Sequence, residues 1–99
     1  MKRRHMPFDG LAWMNDGWTR ALKRSVRMTY FELLWVSWHE GGITPANLKD
    51  GSLAHLLKVR QFELDYVWTK VSRKFSLNAE GFFVNHKTEK HRDYASKRD

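Results

Sequence analysis

KRSVRMTYFELLWVSWHE, residues 23–40, is the clearest helical pattern in this sequence. The side chains that fall on one face of this helix are Val26, Tyr30, Leu33, Leu34, Ser37 and Trp38. Phe31 and Trp35 extend the apolar surface beyond that face, which is typical of a central helix covered by several neighbours. Gly41 and Gly42 predict its end, because glycine readily adopts the left-handed backbone found after a helix C-terminus.

A loop and a short second helix are predicted next. Residues 43–50 are expected to form the loop, since Pro45 disfavours a helical backbone at the residue before it. Ser52 can then cap a short helix that runs through Lys58. The side chains expected on its buried side are Leu53, Leu56 and Leu57.

A third helix is predicted over residues 62–74, after a brief break at 59–61. Its apolar residues follow the i, i+3, i+4, i+7 spacing of a core-facing helix. They are Leu64, Val67, Trp68, Val71 and, one turn later, Phe75. The side chains expected to be buried together across the helices are Leu34, Trp38, Leu57, Trp68 and Val71.

Short β elements are predicted at both ends of this helical region. Residues 75–84 indicate a hairpin, in which the loop at 78–81 (NAEG) ends in a glycine suited to a positive φ. Residues 8–16 predict a short N-terminal strand or an extended arm. The fold class is therefore mainly helical α+β, in the order strand, three helices, hairpin. That order is typical of a winged helix, whose hairpin is the wing, although a generic three-helix domain with a hairpin is the alternative.

Length and composition limit the class of protein. With 99 residues and 41% hydrophobic content, we predict one domain over 1–99, a winged-helix-like core at 8–84 and a charged tail at 85–99. The chain has no cysteine, which excludes disulfides and thiolate metal sites and fits a reducing compartment. No apolar run approaches the roughly 18 residues of a membrane span, and no signal peptide is apparent. We expect a cytoplasmic protein without a membrane partner.

The formal net charge of +7 favours polyanionic partners, with nucleic acid first and an anionic membrane surface second. A merely soluble basic protein is the alternative. The residues predicted to contact nucleic-acid phosphates are Arg20, Lys23, Arg24, Arg27, Lys70, Arg73, Lys74 and Lys87. Arg60 and Gln61, at the start of the third helix, are the candidates for reading base edges. Glu63 and Asp65 argue against standard major-groove docking, because they would repel phosphate unless they stabilise the helix start instead.

Catalytic and metal-binding patterns do not emerge from the sequence. The glycines are not followed by the Lys-Ser/Thr of a phosphate-binding loop, and no Gly-x-Ser-x-Gly elbow occurs. No two histidines have the i, i+4 spacing that would place both imidazoles on one helix face. We therefore predict a protein that is not an enzyme, with no catalytic residues, no metal and no cofactor.

A series of short motifs resembles the YdaU-like family of prophage-encoded domains. In chain order they are WMND (13–16), YFELL (30–34), WHEGG (38–42), LAHLLKV (53–59) and EGFFVN (80–85). Each motif alone is weak, whereas their common order and spacing over about residues 8–92 are more specific. Where the family often has Ser/Thr and a small residue at its first long helix, this chain has Lys23 and Met28, so close packing at Met28 must differ.

The resemblance implies a setting in phage DNA replication, because the family is similar to N-terminal domains of phage replisome organisers. The expected function is a DNA-binding module of the origin-binding or helicase-loading kind. The alternative is a phage-encoded protein-interaction module or regulator that contacts a replication protein and does not bind DNA directly. In that case Trp18, which follows Gly17 and lies off the apolar stripes, is the candidate partner anchor. An anchor for a nucleic-acid base and simple packing in the core are the alternatives for this residue. An exposed aromatic patch beside scattered basic groups would favour this alternative.

Overall fold

The computed structural model describes residues 8–86, and the predicted central helix is the longest element in it. The helices are α1 (Gly10–Asn15), α2 (Gly17–Ala21), α3 (Arg24–Glu40), α4 (Pro45–Lys49), α5 (Ser52–Leu57) and α6 (Gln61–Val71). A 3-10 turn, Ser72–Lys74, leads into strand β1 (Phe75–Leu77), which pairs antiparallel with β2 (Phe83–Asn85). The mainly helical α+β prediction is confirmed at this level. No helix in the described region is long and apolar enough to cross a membrane.

The core forms around α3, as its broad apolar surface predicts. Leu33 on α3 is fully buried, and so are Leu64 and Val71 on α6. Leu53 and Leu57 bring α5 into the same apolar cluster. The helix ends where the paired glycines predicted, since Gly41 has a left-handed backbone with φ of 82°. Burial of this one face therefore holds the later helices against α3.

The predicted N-terminal strand is wrong, because residues 10–15 form helix α1. The side chain of Asp9 caps this helix by accepting a hydrogen bond from the backbone N–H of Ala12 at 3.0 Å. Asp16 caps α2 in the same way, through the N–H of Thr19 at 2.8 Å. An aspartate at the N-cap supplies an acceptor for otherwise unpaired donors, which stabilises even these short helices. Asp9 and Asp16 therefore each begin a helix in the segment that was predicted to be extended.

The predicted loop at 43–50 also contains a helix, α4. Pro45 occupies its first turn, where its missing N–H would have no helical partner in any case. Thr44 has an extended backbone, as expected before proline, and its hydroxyl caps the helix through the N–H of Asn47 at 3.0 Å. Proline therefore begins a helix here, so the loop prediction was wrong.

The predicted hairpin is confirmed, and a third segment joins it. Residues 78–81 connect β1 to β2, and Gly81 has the expected positive φ of 88°. Ile43, which follows the end of α3, forms an antiparallel bridge with Phe83 of β2. The two residues exchange backbone hydrogen bonds of 2.9 and 2.7 Å. The hairpin is thus fixed to the segment between α3 and α4.

The predicted core is confirmed for Leu34, Trp38, Leu57 and Val71, all of which are buried. Trp68 differs, because it is only partly buried and packs at the edge of the core. Its ring lies 5.2 Å from the ring of Phe75 and 5.1 Å from that of Phe83, so it joins α6 to the hairpin. Leu56, expected on the buried side of the second helix, is 57% exposed.

Gly42 should be the glycine least tolerant of substitution. It has a φ of 140°, and a Cβ at this position would collide with the Cβ of Phe82. Backbone strain and overpacking together predict that Gly42→Ala lowers the free energy of unfolding by about 3–5 kcal/mol. Urea unfolding followed by circular dichroism measures this loss.

Gly51 provides the matched control. Its φ is also positive, at 89°, but no atom of the described chain lies within 4 Å of the point that an alanine Cβ would occupy. Gly51→Ala should therefore cost only the strain of a left-handed residue, about 1–2 kcal/mol. Equal losses for the two variants would show that the contact between Gly42 and Phe82 does not matter for stability.

Candidate functional site

Two of the predicted phosphate contacts converge on Trp18. The Nζ of Lys74 lies 4.5 Å from the centroid of the Trp18 ring, and the Cζ of Arg73 lies 5.9 Å from it. Trp18 is partly buried, and its ring meets that of Tyr30 in a T-shaped arrangement at a centroid distance of 5.7 Å. Cation–π attraction therefore places two positive charges side by side, where α2 meets the 3-10 turn that follows α6. We refer to Trp18, Arg73 and Lys74 as the tryptophan-cation cluster.

The arrangement bears on the prediction of Trp18 as a partner anchor. The ring packs against the hydrophobic core and is also covered by the two cations. A partner would therefore meet the charged groups together with the indole. The partner-anchor role stays a prediction.

A second group of predicted phosphate contacts lies along a groove between α1 and the first turns of α3. The residues that line this groove are Phe8, Gly10, Trp13, Met14, Arg20, Arg24, Arg27, Met28 and Phe31. Its volume is about 420 Å³. The structure thus brings Arg20, Arg24 and Arg27 to one groove, and the sequence gave no indication that they share a concave surface with aromatic and methionine side chains. Their role as phosphate contacts stays a prediction.

The remaining predicted phosphate contacts are dispersed. Lys23 is exposed and precedes α3. Lys70 is exposed on α6, where its Nζ lies 5.4 Å from the centroid of the Tyr66 ring. Lys87 lies outside the described residues.

The two base-edge candidates differ in how free their side chains are. Arg60 is exposed at the N-cap of α6. The side-chain amide of Gln61 instead donates to the backbone carbonyl of Leu48 at 2.7 Å and to a carboxylate oxygen of Asp65 at 2.9 Å. These bonds hold α4 against α6, so the Gln61 amide already serves a structural purpose.

The two acids that argued against phosphate docking also have structural roles. Glu63 accepts a hydrogen bond from the backbone N–H of Arg60 at 3.4 Å, so its charge lies at the positive end of α6. Asp65 accepts from Gln61 and forms an ion pair with Lys49 on α4, with 3.9 Å between the charged atoms. Glu63 thus lies where it can stabilise the helix start, whereas Asp65 connects α6 to α4. Whether they repel phosphate stays open.

The asparagines of the predicted wing are engaged within the domain. The side-chain oxygen of Asn78 accepts from the backbone N–H groups of Glu80 and Phe82 at 3.0 and 2.9 Å, which shapes the hairpin loop. Asn85 is buried, and its amide donates to the carbonyl of Lys74 at 3.0 Å. This bond positions the backbone next to the tryptophan-cation cluster.

An exposed apolar surface lies on α6, where the helical pattern already places Tyr66 on the exposed side. Phe62 is 66% exposed and Tyr66 is 47% exposed, although both belong to a helix with a regular core face. With Ser25, Thr29 and Glu63 they border a second depression beside α3. The signal was available, since both residues lie off the Leu64–Val67–Val71 stripe.

Comparison with known proteins yielded no relative: the chain matches no family profile, no curated protein and no solved structure.

Tyr30, which lies beneath these surfaces, should give the domain a distinctive alkaline response. Burial is the main cause that raises the pKa of Tyr30 from 10.0 to about 12, while a hydrogen bond with Asn85 opposes the rise. The raised pKa means that the folded state favours the neutral phenol. The contribution of Tyr30 to the free energy of unfolding is therefore complete below pH 10 and is lost as the pH rises toward 12. Tyr30→Phe should make the loss of stability over that interval smaller.

Urea unfolding at a series of pH values tests this expectation. At neutral pH, Tyr30→Phe should cost about 1 kcal/mol through the lost hydrogen bond. Tyr66→Phe is the control, because Tyr66 is half-exposed on α6 and should leave the alkaline response unchanged. An equal flattening in both variants would contradict the assignment to Tyr30.

Proposed function

We propose that this chain is a nucleic-acid-binding module with a winged-helix-like architecture. The support is the order of its elements: α3, a bridging residue, the short helices α4 and α5, then α6 and a hairpin. Ile43 pairs with the returning strand of the hairpin and so joins the segment after the first long helix to the wing. A short turn at 58–60 separates α5 from α6, as in a helix-turn-helix unit.

The tryptophan-cation cluster is the observation that carries the proposal. Within residues 8–86, neither Arg73 nor Lys74 forms a salt bridge with a carboxylate. Their charges are therefore available to phosphate oxygens, and each phosphate neutralised releases condensed counterions. Lys70 extends the positive surface along α6. The groove arginines, also predicted to contact phosphates, add to the attraction at longer range.

The start of α6 supports limited sequence preference. Arg60 is exposed at this end, and an arginine there can donate two hydrogen bonds to a guanine edge. Glu63 and Asp65 weaken the case less than their charges suggest, since one caps the helix and the other pairs with Lys49. We therefore retain Arg60 as the base-edge candidate, and we assign Gln61 chiefly to the contact between α4 and α6.

The motif resemblance supports a phage or prophage setting for this activity. In that setting, origin binding or helicase loading in DNA replication is the role that fits a small basic domain of this kind. Double-stranded DNA is accordingly the first substrate to test.

Protein interaction without direct DNA binding is the second candidate function. The observation that favours it is the exposed pair Phe62 and Tyr66 on α6, because aromatic side chains at a helix surface are common at protein interfaces. If this second function is correct, the chain should bind DNA only as any basic protein does, and the affinity should depend on salt no more than it does for such a protein.

A salt titration of binding to random duplex DNA tests the phosphate contacts. Arg73→Ala and Lys74→Ala should each weaken binding at low salt, and each should lower the slope of log K against log salt by roughly one unit. Fluorescence anisotropy of a labelled duplex provides the measurement. Met28→Ser is the control, because Met28 is exposed and uncharged and its loss should leave the slope unchanged. Unaltered slopes for both cation variants would remove the cluster from the DNA-binding surface.

The base-edge role of Arg60 requires a separate experiment. Selection from a randomised duplex pool should yield a preferred sequence, on which Arg60→Ala costs about 1–3 kcal/mol of binding free energy while random DNA is barely affected. Gln61→Ala is the comparison, since it should lower the free energy of unfolding by about 1 kcal/mol through its lost hydrogen bonds. An equal loss of affinity on both DNAs for Arg60→Ala would make Arg60 a phosphate contact only.

A further inference from the structure

The groove between α1 and α3 has an apolar wall that remains exposed to solvent. Phe8 is 44% exposed, Met14 55% and Met28 61%. None of the residues of α1 is buried, although this helix is mostly apolar. An apolar surface of this kind on a small domain marks a binding site more often than a chance feature. The volume of about 420 Å³ also falls within the roughly 300–1,000 Å³ of ligand-binding pockets.

The described residues at the rim of the groove carry positive charge. Arg20, Arg24 and Arg27 are among its lining residues, and none of the lining residues within 8–86 is acidic. Within residues 8–86, none of these arginines forms a salt bridge with a carboxylate. A guanidinium nitrogen of Arg20 lies 3.7 Å from the sulfur of Met14, so positive charge borders the apolar wall directly.

We propose that this groove is a docking site for an acidic peptide segment of another protein, anchored by an apolar side chain. The anchor lies against Met14, Met28 and Phe31, and flanking carboxylates pair with the arginines of the rim. Methionine side chains adapt readily to the shape of an inserted group. Arginine forms bidentate hydrogen bonds with carboxylates, which gives such pairing geometric specificity. The site is separate from the tryptophan-cation cluster and adds a protein partner to the proposed nucleic-acid function.

Charge disfavours the chain itself as the occupant. Residues 1–7 contain Lys2, Arg3 and Arg4 and no acid. Residues 87–99 contain five Lys or Arg and three Asp or Glu, so their net charge is also positive. Either segment would bring further positive charge to a rim of arginines. An acidic segment from another chain meets the opposite sign.

The arrangement of the rings disfavours stacked nucleic-acid bases. Trp13 is stacked on Tyr30, at a centroid distance of 5.4 Å and an interplanar angle of 24°. Phe31 meets Phe8 and Trp13 edge to face, at 5.0 and 5.9 Å. Because these rings already contact one another, less of their surface is left for stacking on a base. An aliphatic or aromatic side chain fits that lining better.

Fluorescence anisotropy with labelled synthetic peptides tests the proposal on the full chain. The probe peptide carries aspartates beside a Phe-Leu pair. One control peptide has lysines in place of the aspartates, and a second keeps the aspartates but has serines in place of Phe and Leu. We expect binding of the probe alone, with perturbation of the Trp13 indole and Met28 methyl signals in NMR spectra. Absence of probe binding, or equal binding of either control peptide, would overturn the proposal.

Variants of the chain separate this site from the nucleic-acid surface. Met28→Ser and Arg24→Gln should each weaken probe binding about tenfold, the effect of losing roughly 1.4 kcal/mol. Both side chains are exposed, so unfolding curves that match the parent chain should accompany these losses. Arg73→Ala should leave probe binding unchanged, while Met28→Ser should leave DNA binding unchanged.

The two remaining outcomes have distinct meanings. If probe binding falls equally for Arg24→Gln and Arg73→Ala and is insensitive to Met28→Ser, attraction is unspecific and the groove is not a peptide site. If an unlabelled duplex displaces the probe and perturbs the same Trp13 signal, the groove belongs to the nucleic-acid surface and the peptide proposal fails. Failure of DNA binding alone leaves probe binding intact, so the two proposals fail independently.

Discussion

The ring of Tyr30 joins more of this domain than any other side chain described above. Trp13 of α1 stacks on it, Trp18 of α2 forms a T-shaped contact with it, and Phe75 of β1 forms another at 6.2 Å. Its hydroxyl bonds with Asn85, whose amide holds the carbonyl of Lys74. One residue of the central helix therefore positions two short helices and both strands. Helices as short as α1 and α2 have little stability of their own, so these contacts are what hold them in place.

Both candidate surfaces follow from this arrangement. Trp18 lies beneath Arg73 and Lys74 because its contact with Tyr30 holds α2 beside the turn that follows α6. The groove exists because Trp13, which stacks on the same ring, holds α1 beside the first turns of α3. The basic residues are thereby divided. One group lies over the indole of Trp18, whereas the other borders an apolar groove lined by methionine and phenylalanine side chains.

Much of the fold could be predicted because its elements have strong local signals. The stripe of Val26, Tyr30 and Leu34 and the glycine at position 41 define α3, and Gly81 defines the hairpin loop. The errors fall where one local signal permits two structures. Aspartate accepts hydrogen bonds in turns and at helix N-caps alike, and proline excludes a helix before it while favouring the first turn of one after it. In both cases the choice depends on tertiary contacts, such as Trp13 on Tyr30, that spacing does not encode.

The candidate site was less accessible to sequence reasoning for a related reason. Residue types identified the basic groups, but the side chains around them come from distant positions in the chain. Lys74 lies over Trp18, and the phenylalanines of the groove, Phe8 and Phe31, are likewise far apart in sequence. Phe62 and Tyr66 lie off the core stripe and are exposed, but a stripe does not indicate what such exposed rings contact. Spacing groups the cations by their position in the chain, whereas the structure groups them by the surface around them. Arg73 lies over an indole, while Arg24 borders methionine and phenylalanine side chains, so two arginines that look alike in the sequence have different neighbours.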